Sequence, residues 1–215
     1  MKKHLTLFCL LVLGCMWCKG QDTWKLKTNR EGIEIYTKQS QLNPDLKAIR
    51  VRCVLPATLS QLVAIVLDVN AGAEWVYSTR SSILLKQVSP AELYYYSEVE
   101  LPWPCSNRDF IAHLTARQDP HTRVVTIDGP TVAGYVPEKK NIVRVNHSFG
   151  KWVITPLAKQ RVSIDYVLET DPGGSLPAWL VNLFVTRGPL ETFRKLKLQV
   201  QKPAYRGVRL PFITD

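Results

Sequence analysis

The sequence predicts one α+β domain in which a curved antiparallel sheet wraps around a long C-terminal helix. Three observations predict it. From Ile83 to Thr170, β-branched and aromatic runs follow one another with short turns between them, the pattern of an antiparallel meander. From Leu176 to Val200 the large apolar residues instead fall mostly at helical spacing. A chain of 215 residues, 46% hydrophobic and 21% charged, is long enough for one sizeable core and short for two.

The first twenty residues are read apart from that domain, which is taken as 21–215. Lys2 and Lys3 precede an apolar run from Leu5 to Leu13, interrupted at Thr6. A bilayer span takes about 20 apolar residues, so this run is too short to cross and reads as an export signal cleaved near Gly20. Val12-Leu13-Gly14-Cys15 also resembles a bacterial lipobox, in which Cys15 would be lipidated and become the first residue of the mature protein. Both readings give an exported protein, periplasmic or tethered to a membrane. Removing the segment takes Lys2, Lys3 and Lys19 and no acid, so a net charge of +10 stays basic. The cations are scattered and no nucleic-acid-binding motif accompanies them, which points to a solvated basic surface and away from nucleic acid.

Cys53 and Cys105 remain in the domain. An oxidising compartment permits one bridge between them, while the apolar run Val51 to Leu55 around Cys53 equally suits a buried free thiol. Neither has the spacing of a metal site.

Along the domain, Ile33-Glu34-Ile35-Tyr36 alternates as a strand with one exposed face, and Lys47 to Leu55, ended by Pro56, pairs with it as a hairpin. Thr58 is placed to cap a helix over 59–68, whose Leu59, Leu62, Val63 and Val66 form one buried stripe. Strands are predicted over 83–88, 93–101, 109–117, 123–127, 143–155 and 161–170. The connection from Asp128 to Ile142, with Gly129, Pro130, Gly134 and Pro137, is a long irregular loop, the kind that is usually functional or mobile. Asp171-Pro172-Gly173-Gly174-Ser175 leads into the final helix, with Pro177 near its first turn and Gly188-Pro189 expected to kink it.

The space between such a sheet and such a helix is either packed solid or hollow. Trp179, Phe184 and Phe193 can roof a pocket, and Tyr94, Tyr95, Tyr96, Trp103, His113, His147 and Tyr166 mix aromatic with polar character, as ligand sites do. Tyrosines in strands also form surface pairs across strands, so a filled core satisfies the same pattern.

Leu101-Pro102-Trp103-Pro104-Cys105-Ser106-Asn107-Arg108-Asp109-Phe110 resembles a stretch of the START lipid-transfer family. Gly32 to Thr37 is similar to that family's first strand. Trp152 to Pro156, Val162 to Leu168 and Asp171 to Asn182 are similar to its last two strands and the approach to its C-terminal helix. The similarity runs from about Trp24 to Lys202. It implies the helix-grip fold, a cavity for one lipid, sterol or related hydrophobic molecule, no cofactor and no catalysis, in a chain acting as a monomer at a membrane surface. It further implies a gate formed by the 128–141 loop with the C-terminal helix. Lys139 and Lys140 would draw that loop to an anionic surface, each cation contributing about 1 kcal/mol.

Candidate ligand-binding residues are therefore Tyr95, Trp103, Arg108, His113, His147 and Tyr166 from the sheet and its loops, with Trp179, Leu180 and Phe184 from the helix. Leu114 and Tyr95 stand where well-known sterol and phospholipid binders place charged groups. Arg108 and Asp109 also read as a structural ion pair at a strand start. The competing reading is an enzyme of the wider superfamily, a cyclase or hydrolase with His113 or His147 as general base.

Overall fold

Period-two alternation of buried and exposed residues decides most of this structure. In β2 (Ile33–Gln39), Ile33, Ile35 and Thr37 are buried while Glu34, Tyr36 and Lys38 are less so. The computed structural model describes residues 23–174, 176, 177, 180, 181 and 183–215. Residues 1–22, where the sequence predicts an export signal and a lipidated Cys15, and Trp179 lie outside the described residues.

The strands are β1 (Lys25–Arg30), β2, β3 (Lys47–Leu55), β4 (Thr79–Ser89), β5 (Glu92–Val99), β6 (Arg108–Gln118), β7 (Val125–Pro130), β8 (Val143–Arg144), β9 (His147–Leu157) and β10 (Arg161–Asp171). They form one sheet in the order β1-β2-β3-β10-β9-β7-β6-β5-β4. Neighbours along it are antiparallel, and β8 pairs in parallel with the start of β6. With the C-terminal helix against it, this is the expected α+β helix-grip architecture. The meander from β4 to β10 follows chain order. The pairing of β10 with β3, which joins the N-terminal hairpin to the meander, does not.

Two elements differ from expectation. The run 143–155 is broken into β8 and β9, because Val145 N–H donates to the Asp109 carbonyl at 2.8 Å and holds the chain on the β6 edge before it turns into β9. The C-terminal helix is not one kinked rod: a π-helical turn, Leu183–Arg187, runs into α3 (Gly188–Gln199) with Pro189 in its first turn. Proline lacks an N–H and its ring crowds the preceding turn, and widening that turn relieves both.

Thr58 caps α1 (Leu59–Leu67) as predicted, its Oγ1 accepting from Gln61 N–H at 3.2 Å. A 3-10 turn, Val69–Ala71, and the short α2 (Gly72–Trp75) follow. Phe193 and Leu196 of α3 are fully buried in a core with Ile33, Ile35, Val51 and Ile154. Beyond the helix the tail folds back over α1: Tyr205 Oη donates to Asp68 at 2.8 Å and Ser60 N–H to Asp215 at 2.7 Å. Cys53 and Cys105 are both free thiols, Cys53 buried.

Most of the long loop after β7 packs on the outer face of the sheet. Arg144 grips Asp109 through two bonds, Nε at 2.6 Å and Nη2 at 3.1 Å, and donates to the Val136 and Pro137 carbonyls. Tyr135 stacks on Tyr94, and Lys139 lies over Tyr96 and beside Glu98. Of the 128–141 loop expected to form the gate with the helix, Gly129 and Thr131 line the space under the helix while residues 133–141 do not, and from the C-terminal side Pro172, Leu176, Val181, Phe184 and Phe193 line it.

Candidate functional site

Because side chains on a strand alternate between faces, one strand's phase fixes what looks inward. On β6 that phase brings Arg108, Phe110, Ala112 and Leu114 inward. The register carries it across: Tyr95, Ser97 and Val99 of β5 stand opposite Ala112, Phe110 and Arg108. On the other side Ser148, Gly150 and Trp152 of β9 stand opposite Thr170, Leu168 and Tyr166 of β10. These side chains and the helical residues above them line a cavity of about 370 Å³. Its volume lies within the ~300–1,000 Å³ usual for ligand pockets.

The cavity is graded along its length. At one end Trp152 meets Tyr166 and Phe193 at ring separations of 4.4 and 5.6 Å, and Trp75 lies edge-on to Trp152 at 6.3 Å. The buried Trp75 indole N–H has no hydrogen-bond partner among the described residues. Toward the other end stand Ser148 and Thr170, whose hydroxyls bond each other at 2.7 Å, and Arg108. Glycine at 129 permits close approach of β7, since a Cβ there would come within 2.7 Å of Leu114 Cδ2. Tyr95 and Tyr166 carry their hydroxyls into the interior, where neither bonds another described side chain. Burial pushes the Tyr95 phenol up to about 12, and burial together with the neighbouring Tyr95 raises that of Tyr166, so both stay protonated donors.

Four of the sequence-predicted residues come together on this lining: Tyr95, Arg108, Tyr166 and Phe184. Leu180 is fully buried but not among the lining residues, and Trp179 lies outside the described residues. Three others are corrected. His113 follows the inward-facing Ala112 and so faces outward, stacked on Tyr94 at 4.2 Å and bonded to Glu92 at 2.7 Å. His147 precedes the inward-facing Ser148 and is exposed for the same reason. Trp103 sits on the β5–β6 loop with 91% of its surface in solvent, beside Leu183 and Phe184 but outside the cavity. The Arg108–Asp109 ion pair is also corrected: as strand neighbours they face opposite ways, Asp109 to Arg144 and Arg108 inward.

Sequence reasoning missed Trp75, Phe110 and Thr170 on the lining, and took Trp152 only as part of a motif. Thr170 lies two strand positions from Leu168 and four from Tyr166, so extending the Tyr166 phase would have found it. Trp152 needed the β9–β10 register. Among the described residues no group of three His, Cys, Asp or Glu side chains could hold a metal ion.

Residues 9–205 match the family model described as START domain. An uncharacterised protein of Pseudomonas aeruginosa is 30% identical over 205 residues, covering 93% of this chain and 97% of its own. Bovine phosphatidylcholine transfer protein is 27% identical over 170 residues, with 77% of this chain and 78% of the relative covered. The crystal structure of a STAR-related lipid transfer protein fragment from Xanthomonas axonopodis superposes with a TM-score of 0.75 at 32% identity, covering 83% of this chain and 99% of that one. Sequence, strand order and the hollow under the helix agree, and the chain belongs to the START domain family.

Proposed function

We propose that this protein binds one hydrophobic small molecule, a lipid or sterol-like guest, in the space between sheet and helix, and carries it between membranes. The observation that carries this reading is the cavity of about 370 Å³, apolar along most of its wall and bounded by the helical segment. Each Å² of apolar guest surface kept from water is worth about 25 cal/mol, so a guest is held by burial and oriented by the few polar groups. Tyr95, Tyr166, Phe184 and Arg108 are the residues proposed to touch it. Release requires the wall formed by Pro172, Leu176, Phe184 and Phe193 to move, and Gly173 and Gly174, both at positive φ, are the natural hinge. The names of the bovine relative and of the Xanthomonas structure support lipid transfer as the activity. An enzymatic reading needs a base facing the guest, and both candidate histidines face away from it.

The test is native mass spectrometry of protein purified from its own host, followed by lipid extraction, together with transfer of a fluorescent lipid between vesicles. A stoichiometric guest and protein-dependent transfer are expected. Protein that carries no guest and takes up none of a panel of lipids and sterols would overturn the proposal.

A further inference from the structure

Four charged residues are buried among the described ones: Glu98, Arg108, Asp109 and Arg144. Asp109 and Arg144 neutralise each other, and Glu98 has Arg80 and Lys139 within 4 Å at 3.7 and 3.8 Å. Arg108 differs. It is 6% exposed, lines the cavity, and forms no ion pair among the described residues. Its partners are neutral carbonyls: Nε to Pro172 at 3.2 Å, Nη1 to Ser106 at 2.6 Å and Nη2 to Gly173 at 3.0 Å.

A guanidinium has five N–H donors, so these three bonds leave one on each terminal nitrogen. A buried charge without a counter-charge is costly, and here burial pulls the Arg108 pKa below its ordinary value. An anion reaching this group would gain charge-assisted bonds about twice as strong as neutral ones. The grading of the cavity gives the anion a tail: Arg108, Ser148 and Thr170 stand toward one end, and Trp75, Trp152 and Phe193 toward the other.

We propose that Arg108 anchors the anionic headgroup, a carboxylate or a phosphate, of an amphiphile whose apolar tail lies toward Trp152. This rests on the reading that the cavity holds a hydrophobic guest and adds the guest's chemical class.

The test compares probes that share a tail: palmitate, a single-chain lysophosphatidate, and the methyl ester of palmitate, each displacing a fluorescent lipid from the whole domain. One or both anions are expected to bind wild-type protein at least about tenfold tighter than the ester, the ratio a hydrogen bond to a charged group supports. Which anion leads tells carboxylate from phosphate. Palmitate affinity should fall toward that of the ester as pH drops and the carboxylate takes a proton. Arg108→Met should bring the anion/ester affinity ratio toward one, and Arg108→Lys should keep part of the preference. Equal binding of anions and ester by wild type, or an undiminished preference in folded Arg108→Met, overturns the inference and leaves the proposed function standing. No binding of the fluorescent lipid or of any of the three probes overturns both. If Arg108→Met fails to fold, the wild-type anion/ester ratio and its pH dependence decide.

Discussion

Replacing Asp109 by Asn isolates the Arg144 guanidinium, and the structure sets the size of the effect. The Asp109 side chain is 1% exposed and that of Arg144 4%, and they share two hydrogen bonds. Removing one partner of such a pair leaves an uncompensated buried charge and costs about 3–5 kcal/mol. For a domain of this size that lowers Tm by roughly 6–20 °C. Arg144 also holds the Val136 and Pro137 carbonyls, so residues 133–142 should lose hydrogen-exchange protection in the same variant. Urea unfolding of Asp109→Asn, Arg144→Met and the double variant measures the coupling. The double should be less destabilised than the two single losses added together, because it buries no lone charge. The same cycle with Arg108→Met in place of Arg144→Met should show a smaller coupling, since Arg108 faces the cavity. Single variants within 1 kcal/mol of wild type, or coupling of Asp109 to Arg108 and not to Arg144, would refute the assignment of partners.

Ala112→Trp projects an indole from β6 into the cavity. Overpacking of this kind costs about 1–3 kcal/mol, yet lipid uptake should be abolished, as calorimetry and a displacement assay can separately show. Burial raises Cys53, Tyr95 and Tyr205, each to about 12, from ordinary values of 9.0 for the thiol and 10.0 for the phenols. Each keeps its proton in the fold after the unfolded chain has lost it, so their contribution is complete below pH 9 and disappears as pH rises toward 12. Urea midpoints should fall steadily across that window; a flat profile would mean these groups are not buried in solution. Thr58→Ala removes the Oγ1 cap on Gln61 and should cost about 1 kcal/mol in the same unfolding assay.

How far the site could be read in advance varied from strand to strand. Residues in phase with a buried neighbour were within reach, as with Tyr95 and Tyr166. His113 and His147 were chosen for their chemistry, and strand phase, which the sequence also carries, would have turned both outward. Arg108 and Asp109 looked like a pair because they adjoin along the chain, whereas adjacency on a strand separates two side chains. Trp103 has the composition of a site residue, but a loop between strands obeys no alternation.

The sequence by itself determined the elements: the Thr58 cap, the apolar stripe of α1, most of the alternating strands and their turns, and a C-terminal helix. These are local, set by bonds and periodicities spanning a few residues. Only the tertiary structure decided that β10 closes on β3, that Asp109 pairs with Arg144 35 residues away, and that residues 133–142 pack outward while Pro172, Leu176, Phe184 and Phe193 line the cavity. Those outcomes depend on which distant surfaces meet, and the free energy of burying them has no signature in any short stretch of chain.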